Sequence, residues 1–409
     1  GMIWKEVARQ YLDVFGEVKR ERESVPRPVF RARTMGTDIR EAPQPKLDHI
    51  IRLTDDVGIL QHAKYIVPDR DHGYCTDDNA RALIAVMMAQ EMIADGETIT
   101  NLACTYLSFL HHAFNEENGR FRNFMGYDRH WLEEVGSEDS HGRAVRGLGE
   151  AVALAETNDL RAAAQELFEK AFLALWDFRS PRAWAFALVG IHAFLSRFGG
   201  HSEVRRLRER LAGQLMRLYR EQASEDWPWI ENILTFANGK ISQALLLSGR
   251  ALGDAEMQQA GLRSLEWLME IQTDPKGHIV PVGNKGWYPR GGEKARFDQQ
   301  PIEALSMIEA CREAYETTRD SKWISQAQRC LEWFLGRNDL KAMLYDHKTG
   351  GCCDGLQADG PNRNQGAEST LVCFLSLLHV NQLRGRQLSM DTAEETETQA
   401  SQEAMIHGR

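Results

Sequence analysis

Hydrophobic residues recur along most of the chain with the period of an α-helix, and two kinds of helix alternate. The first kind is amphipathic, with an apolar stripe and a charged opposite face, as in "HSEVRRLRERLAGQLMRLYREQ" and "DSKWISQAQRCLEWFLGR". The second kind is apolar nearly all round and rich in small residues, as in "PRAWAFALVGIHAFL" and "GRAVRGLGEAVALA". Because a helix that is apolar on every side is buried on every side, the pattern predicts inner helices that alternate with outer ones.

The order of the two kinds predicts an all-α fold, an (α/α)6 toroid with short β-hairpins in its rim loops. Six inner helices have five outer helices between them, and a sixth outer helix is predicted around "KLDHIIRLTDDVGILQHA", residues 46–63. In such an array each helical hairpin buries its inner helix against its neighbours. We expect one toroid domain over 46–386. An N-terminal helix and extended segment, 1–45, packs on it, and a polar, disordered tail follows over 387–409.

Polar residues precede most of the inner helices and are suited to cap them. They are Thr76, Ser137, Ser180, Asp226 and Asn364, and Ser180 is followed by a proline at the first helical position. In a toroid the six inner N-termini open at one rim. Three long connections, 119–140, 277–300 and 344–365, feed that rim, and long connections in a compact domain are usually functional. We therefore expect the functional residues at this end.

Composition excludes some classes of function but does not identify the function. The net charge is −10, from 49 basic and 59 acidic residues, and no basic stripe favours nucleic acid as a partner. The longest apolar runs fall short of the roughly 20 residues that span a bilayer, and the start of the chain has no apolar signal-peptide core. Seven cysteines, several inside apolar helical patterns, favour reduced thiols and a cytoplasmic location. No ligand spacing predicts a metal site or a cofactor.

Acids, amides and aromatic residues together at the rim indicate a sugar site, because aromatic faces stack on sugar rings and polar groups fix the hydroxyls. The candidate catalytic acids are Asp78, Asp139, Glu231 and Asp298. The candidate substrate-binding residues are Asp71, His72, Tyr74, Asp77, Arg81, Trp131, His141, Arg143, Trp227, Trp229, Asn232, Trp287, Tyr288, Gln299, Gln300, Asn364 and Glu368.

Several of these acids also have a purely structural interpretation. Acids in the first turn of a helix stabilise its N-terminus, and this applies to Asp77, Asp78 and Asp139. Glu303 and Glu368 occupy matching places in two similar helix starts, "DQQPIEAL" and "NQGAESTL". For Glu303 we expect a structural role, such as accepting hydrogen bonds from the backbone of a neighbouring helix. For Glu368 both interpretations stay open.

The leading hypothesis is a glycoside hydrolase, which needs one protonated and one ionised carboxyl group. We expect inversion of configuration, because a wide rim holds the two carboxyl groups far apart. Arg81, Arg143 or Lys294 would bind an anionic sugar or hold an acid ionised. Three different activities stay open: a sugar epimerase with His72 or His141 as the base, a glycan-binding domain without turnover, and a uronyl lyase.

The chain also resembles known families. The alternation of helices is similar to the six-hairpin toroid of glycoside hydrolases, polysaccharide lyases and N-acylglucosamine 2-epimerases. More narrowly, "LTDDVGILQHAKYIVPDRDHGYCTDDNARALI" resembles a bacterial helical domain that is joined to, or encoded near, glycosyltransferases in polysaccharide loci. This resemblance implies an oligosaccharide or polysaccharide substrate and a glycosyltransferase as a candidate partner. It does not choose the reaction, because the toroid serves several.

Overall fold

The computed structural model describes residues 42–386 except 91 and 94. These residues belong to one compact unit, Glu41–Arg409. The helix and extended segment predicted for the N-terminus lie outside the described residues up to residue 41, and so does the predicted tail over 387–409.

Helices dominate the described part of the chain, and we number them in chain order. They are α1 Asp48–Leu53, α2 Thr76–Ala89, α3 Gly96–Ala113, α4 Glu138–Leu154, α5 Asn158–Ala171, α6 Pro181–Arg197, α7 Ser202–Gln222, α8 Gly239–Leu252, α9 Ala255–Ile271, α10 Pro301–Thr318, α11 Lys322–Phe334 and α12, 367–386. A short 3-10 helix, Phe172–Asp177, follows α5.

The even-numbered helices from α2 to α12 form the inner ring, and the helices between them lie outside. From α2 to α10 each inner helix packs against the next inner helix and against the outer helix that follows it. The helix α12 closes the ring, because Glu368 binds Arg81 of α2 at 3.1 Å and His379 lies 3.3 Å from Glu309 of α10. The predicted (α/α)6 toroid is therefore confirmed.

Hydrogen bonds between first turns place the inner N-termini at one end of the ring. The carboxylate of Glu138, in α4, accepts hydrogen bonds from the backbone nitrogens of Arg179 and Ser180 at the start of α6. The carboxylate of Glu303, in α10, accepts one from the backbone nitrogen of Ala237 at 2.6 Å, just before α8. The structural role expected for Glu303 is thus confirmed, and the rim predicted from the sequence exists.

Glycine allows the inner helices α4 and α6 to approach closely. A Cβ on Gly149 would lie 2.1 Å from the carbonyl oxygen of Gly190, and a Cβ on Gly190 would lie 2.5 Å from the carbonyl oxygen of Val145. Any side chain at either position would push the two backbones apart. The small residues that marked these helices in the sequence are therefore a packing requirement.

Two local predictions were wrong. The sixth outer helix is only the short α1, because the side chain of Asp55 accepts hydrogen bonds from the backbone nitrogens of Val57 and Gly58 and turns the chain into a strand. Among the predicted caps, Ser137 and Ser180 bond their helix starts. Thr76 instead lies inside α2, and Asp226 lies in a loop well before α8.

Short strands occupy the connections, as predicted. They are β1 Leu60–Lys64, β2 Val67–Cys75, β3 Phe114–Asn115, β4 Arg120–Phe121, β5 Phe124–Met125, β6 Ile233–Leu234, β7 Tyr288–Pro289, β8 Gly355–Gln357 and β9 Gly360–Asn362. The hairpin of β1 and β2 adds β5 as its third strand, and β3–β4, β6–β7 and β8–β9 form separate antiparallel pairs. No helix among the described residues has the length and hydropathy that a bilayer span requires.

Candidate active site

A small cavity of about 20 Å³ lies on the axis of the toroid, which is room for about one water molecule. Side chains from five of the six inner helices line it. They are Asp77, Arg81, Ile84, Arg143, Arg146, Phe186, Lys240, Ile302, Leu305, Ser306 and Glu309. Most of the charged members fall into two groups at different depths, and Arg143 pairs separately with Asp139.

The first group, which we call the mouth cluster, consists of Asp77, Asp78, Arg81 and Glu368. The guanidinium group of Arg81 is its centre. One terminal nitrogen binds Oδ1 of Asp78 at 2.6 Å. The other lies 3.1 Å from Oε2 of Glu368 and 3.7 Å from Oδ2 of Asp77. The first turn of α2 and the first turn of α12 thus bring three carboxyl groups to one cation.

The two consecutive aspartates of the mouth cluster differ in pKa. Burial raises the pKa of Asp78 to about 7, and the charge of Asp77 adds to this effect. Burial acts on Asp77 in the same direction, but Arg81 and Arg143 outweigh it and lower its pKa. Around neutral pH, Asp77 is therefore ionised while Asp78 keeps its proton for much of the time. Neighbouring carboxyl groups whose pKa values are pushed apart are the usual arrangement of acid–base catalysis.

The two aspartates also differ in position. Asp77 lines the cavity, whereas Asp78 is buried behind it, where its Oδ2 accepts a hydrogen bond from the thiol of Cys75 at 3.0 Å. The sequence analysis assigned catalysis to Asp78 and substrate contact to Asp77. The structure makes Asp77 the more accessible of the two.

The second group, the deep cluster, consists of Arg146, Lys240, Glu309 and His379, all buried. One oxygen of Glu309 binds Arg146 and the other binds Lys240. Lys240 also donates to Oε1 of Gln243 at 2.6 Å, and Arg146 binds Glu150 at 2.7 Å. Buried charges persist only when they are paired in this way.

The environment of the deep cluster changes its protonation. Burial lowers the pKa of Lys240 to about 7, and the charge of Arg146 adds to the effect. Burial opposes ionisation of Glu309, but Arg146 and Lys240 outweigh it and hold its pKa well below the usual range. An amine that titrates near neutrality at the wall of a cavity is able to take up or release a proton there.

Asp139 and Arg143, in the first two turns of α4, form a separate pair. Oδ2 of Asp139 accepts a hydrogen bond from Nε of Arg143 at 2.7 Å. Oδ1 of Asp139 is buried and has no hydrogen-bond partner among the described residues. The guanidinium carbon of Arg143 lies 4.1 Å from the ring centroid of Phe186, so the arginine is stacked on the cavity wall.

The other two predicted catalytic acids lie at the rim but not in the cavity lining. Glu231 binds Arg182 at 2.7 Å, and Arg182 is otherwise held by Phe236 and Asn238. Asp298 lies 3.3 Å from Lys285, an exposed loop residue. The ion pair of Glu231 is thus with Arg182, which does not line the cavity, and that of Asp298 is with the exposed loop.

The predicted aromatic platform is mostly buried. Trp227 and Trp229 are 3% and 0% exposed and pack on Trp267 of the outer helix α9, so they have no face for a sugar. Trp131 packs on Phe109 and His112 of α3. Tyr74 is buried and donates to Asp55 at 2.6 Å. Trp131, Trp287 and Tyr288 are partly exposed, and Tyr288 packs on Trp227 with 5.3 Å between ring centroids.

His141 is buried in the core and does not line the cavity. Its Nε2 lies 2.9 Å from the carbonyl oxygen of Ala171, and its Nδ1 accepts a hydrogen bond from the backbone of Phe121. Burial lowers its pKa to about 3, so it stays neutral. These contacts exclude the substrate-binding role predicted for His141.

The remaining predicted polar residues hold the rim loops. Gln299 is buried and bonds Trp333 and Asp339, while Gln300 occupies the cap position of α10. Asn364 accepts a hydrogen bond from the backbone of Tyr65 and so ties the β1–β2 hairpin to the start of α12. Asn232 is exposed at the rim, and Asp71 and His72 are exposed on β2.

The sequence analysis missed Arg146, Lys240, Glu309, Phe186 and Phe236. The signal was present for the first three, because a charged residue inside an otherwise apolar inner helix requires a buried partner. Phe186 lines the cavity, and Phe236 lies beside the guanidinium groups of Arg143 and Arg182.

Two groups of side chains among the described residues are close enough to hold a metal ion. They are Cys75–Asp77–Asp78 and Asp274–His278–Asp339. An arginine already lies against the carboxylates of each group. Arg81 does so in the first, and Arg296 binds Asp274 at 2.8 Å and Asp339 at 2.5 Å in the second.

Sequence comparison gives no relatives: no family model matches the chain, and no curated protein matches it. Solved structures do match. The structure of cellobiose 2-epimerase from Bacillus thermoamylovorans is similar with a TM-score of 0.63 and 14% identity, over 83% of this chain and 96% of that chain. The GH76 α-mannanase BT2949 from Bacteroides thetaiotaomicron is similar with a TM-score of 0.58 and 11% identity, over 83% and 95%.

A third similar structure contains a ligand. It is an inactive variant of the α-1,6-mannanase GH76A of Salegentibacter, with two consecutive aspartates replaced by alanine, in complex with α-1,6-mannotetrose. Its TM-score is 0.56 at 10% identity, over 82% of this chain and 96% of that chain. At these identities the likenesses show the fold, which sugar epimerases and mannanases share with this chain.

Proposed function

We propose that the protein is a carbohydrate-active enzyme that hydrolyses a glycosidic bond at the mouth of the axial cavity. One observation carries the proposal. Asp77 and Asp78 are consecutive carboxyl groups at the N-terminus of an inner helix, and their pKa values are shifted in opposite directions. Glycosidic hydrolysis needs such a pair, with one group ionised and the other protonated.

In this proposal Asp77 is the ionised carboxylate that meets the sugar, and Asp78 supplies the proton after its Oδ2 turns from Cys75 toward the cavity. Arg81 keeps both carboxyl groups in place and binds Glu368 across the mouth. The variant of the similar mannanase that is described as inactive also lacks two consecutive aspartates, which agrees with an adjacent pair as the catalytic unit.

Neighbouring carboxyl groups favour retention of configuration, for which they lie about 5–5.5 Å apart. Inversion, which we expected from the sequence, needs a wider pair of about 6.5–9.5 Å and so a partner from another helix, such as Asp139. Proton NMR of the first product formed distinguishes the two, because retention and inversion release opposite anomers.

Release of reducing ends from a panel of glycans tests the proposal. The panel contains neutral mannans, including α-1,6-mannan, glucans and acidic polysaccharides. We expect the wild-type protein to cleave at least one glycan, and the Asp77→Asn and Asp78→Asn variants to lose that cleavage. Asp56→Asn, which changes an exposed acid, is the control. Cleavage that survives both substitutions in the pair would refute the assignment.

An epimerase is the second candidate, and the deep cluster favours it. Epimerisation of a free sugar needs a base that removes a proton beside the carbonyl carbon, and no leaving-group acid. Lys240 lies at the cavity wall with a pKa of about 7 and fits this role, whereas His141 is sealed in the core. Conversion of a free sugar in D2O, with deuterium at the epimerised carbon and loss in Lys240→Met, would establish this activity instead.

A glycan-binding domain and a uronyl lyase would each give a different result in these assays. Sugar binding without any turnover would favour the glycan-binding domain, for which a glycosyltransferase remains the candidate partner. A product with a new ultraviolet-absorbing double bond would favour the lyase.

A further inference from the structure

Cations outnumber acids on the wall of the axial cavity. Four of its lining residues are Arg81, Arg143, Arg146 and Lys240, and two are the carboxylates Asp77 and Glu309. Acids behind the wall offset part of this charge, so hydrogen bonding rather than net charge has to provide any selectivity.

Arg143 differs from the other cations because its hydrogen bonds are incomplete. All three guanidinium nitrogens of Arg146 bind carboxylates, and Lys240 binds Glu309 and Gln243. Arg143 uses only Nε, toward Asp139. Within the part of the chain that the structure describes, its two terminal nitrogens make no hydrogen bond.

The unpaired end of Arg143 is held in a fixed position. The residue is 8% exposed, and its exposed part borders the cavity. The guanidinium carbon lies 4.1 Å from the ring centroid of Phe186, and Nε binds Oδ2 of Asp139 at 2.7 Å. A buried, stacked guanidinium group with two free terminal nitrogens is the arrangement that binds a carboxylate or phosphate through two parallel hydrogen bonds.

We propose that the substrate is an anionic sugar and that Arg143 binds its oxyanion group, a carboxylate or a phosphate, through its two terminal nitrogens. This inference rests on the proposed function for the location of the sugar, but it concerns recognition and not cleavage.

Binding of monosaccharides tests the inference by calorimetry at 0.15 M salt. The probes are glucose, galactose and mannose, the corresponding uronic acids, and glucose 6-phosphate and mannose 6-phosphate. We expect at least one anionic sugar to bind about 10- to 100-fold more tightly than its neutral parent, because hydrogen bonds to charged groups are the stronger ones. The uronic acids and the phosphates separate the two sources of the oxyanion.

Variants of Arg143 assign the preference to its side chain. Arg143→Gln should remove the preference and leave the affinity for the neutral parent within a few-fold. Arg143→Lys, which keeps the charge but not the planar fork, should retain only part of it. Arg217→Gln, which changes an exposed arginine of α7, should behave as wild type, and thermal unfolding checks that each variant folds.

Equal affinity for anionic and neutral sugars, no binding of any anionic sugar, or a preference that survives Arg143→Gln would each overturn the inference. The glycan-cleavage assay of the same preparations separates the two proposals. Anion-selective binding without cleavage would keep the inference and remove the hydrolase. Cleavage of neutral glycans without anion preference would do the reverse.

Discussion

The mouth cluster and the deep cluster are both built from acids and cations on the inner helices, but they are organised differently. In the deep cluster each charge is buried and paired, with Glu309 shared by Arg146 and Lys240. In the mouth cluster Arg81 forms ion pairs with three acids, and the side chain of Glu368 is 43% exposed. The comparison indicates that the deep cluster mainly stabilises the ring of inner helices. The mouth cluster instead has carboxyl groups that a ligand can reach.

Asp77→Asn should cause the largest change, a loss of about 10²–10⁴-fold in kcat, because it removes the ionised carboxylate at the cavity wall. Steady-state kinetics on the glycan identified in the reducing-end assay measure this, with Asp56→Asn as the control. Activity within a few-fold of wild type would move the chemistry away from the mouth cluster.

Glu309→Leu should cause the largest loss of stability, about 3–5 kcal/mol in the free energy of unfolding, because it leaves Arg146 and Lys240 buried without their shared partner. Glu368→Leu is the matched change in the mouth cluster. It should cost no more than about 1 kcal/mol, since the side chain of Glu368 is partly exposed and Arg81 keeps Asp78 as a partner. Urea titration measures both, and equal losses would contradict the contrast between the two clusters.

Glu303→Ala should cost about 1–3 kcal/mol, because the backbone N–H groups at the start of α8 lose their buried acceptor. Glu303→Gln keeps an acceptor oxygen and should cost less. Chemical unfolding of the two variants checks the order. A Glu303→Ala variant that is fully stable but inactive would show that this residue acts in catalysis and not as a helix cap.

The value of kcat/KM should fall about tenfold for each pH unit above pH 7. The reason is that Asp78 has to be protonated for catalysis and its pKa is raised to about 7. Any residual activity of Asp78→Asn should lack this limb. The deep cluster predicts the opposite slope, since Lys240 acts as a base only when neutral and its pKa is lowered to about 7. A rate that rises through pH 7 would therefore favour epimerisation.

The sequence predicts the ring well because burial on every side of a helix leaves a pattern that does not depend on details. The roles of Ser180 and Glu303 are also predictable, because backbone N–H groups at the start of a helix need hydrogen-bond acceptors. The β1–β2 hairpin was missed because the turn at Asp55 interrupts an otherwise helical pattern. Local side-chain bonding, and not hydrophobicity, decides the structure there.

The candidate site was predicted less completely. Asp77, Arg81 and Arg143 do line the cavity. The direction of a loop side chain cannot be derived from its neighbours in sequence, and Trp227 and Trp229 turn toward the outer helix α9 although "WPWIEN" has the composition of a sugar platform. Lys240 and Glu309 pair across helices far apart in sequence, so their relation appears only once the ring is closed.

A crystal structure of the Asp77→Asn variant with a bound oligosaccharide tests the central claim most directly. The account predicts a sugar ring at the mouth of the axial cavity, with a glycosidic oxygen within hydrogen-bonding distance of the mouth cluster. An oligosaccharide bound elsewhere on the protein, with no sugar beside residue 77, Asp78 or Glu368, would contradict it.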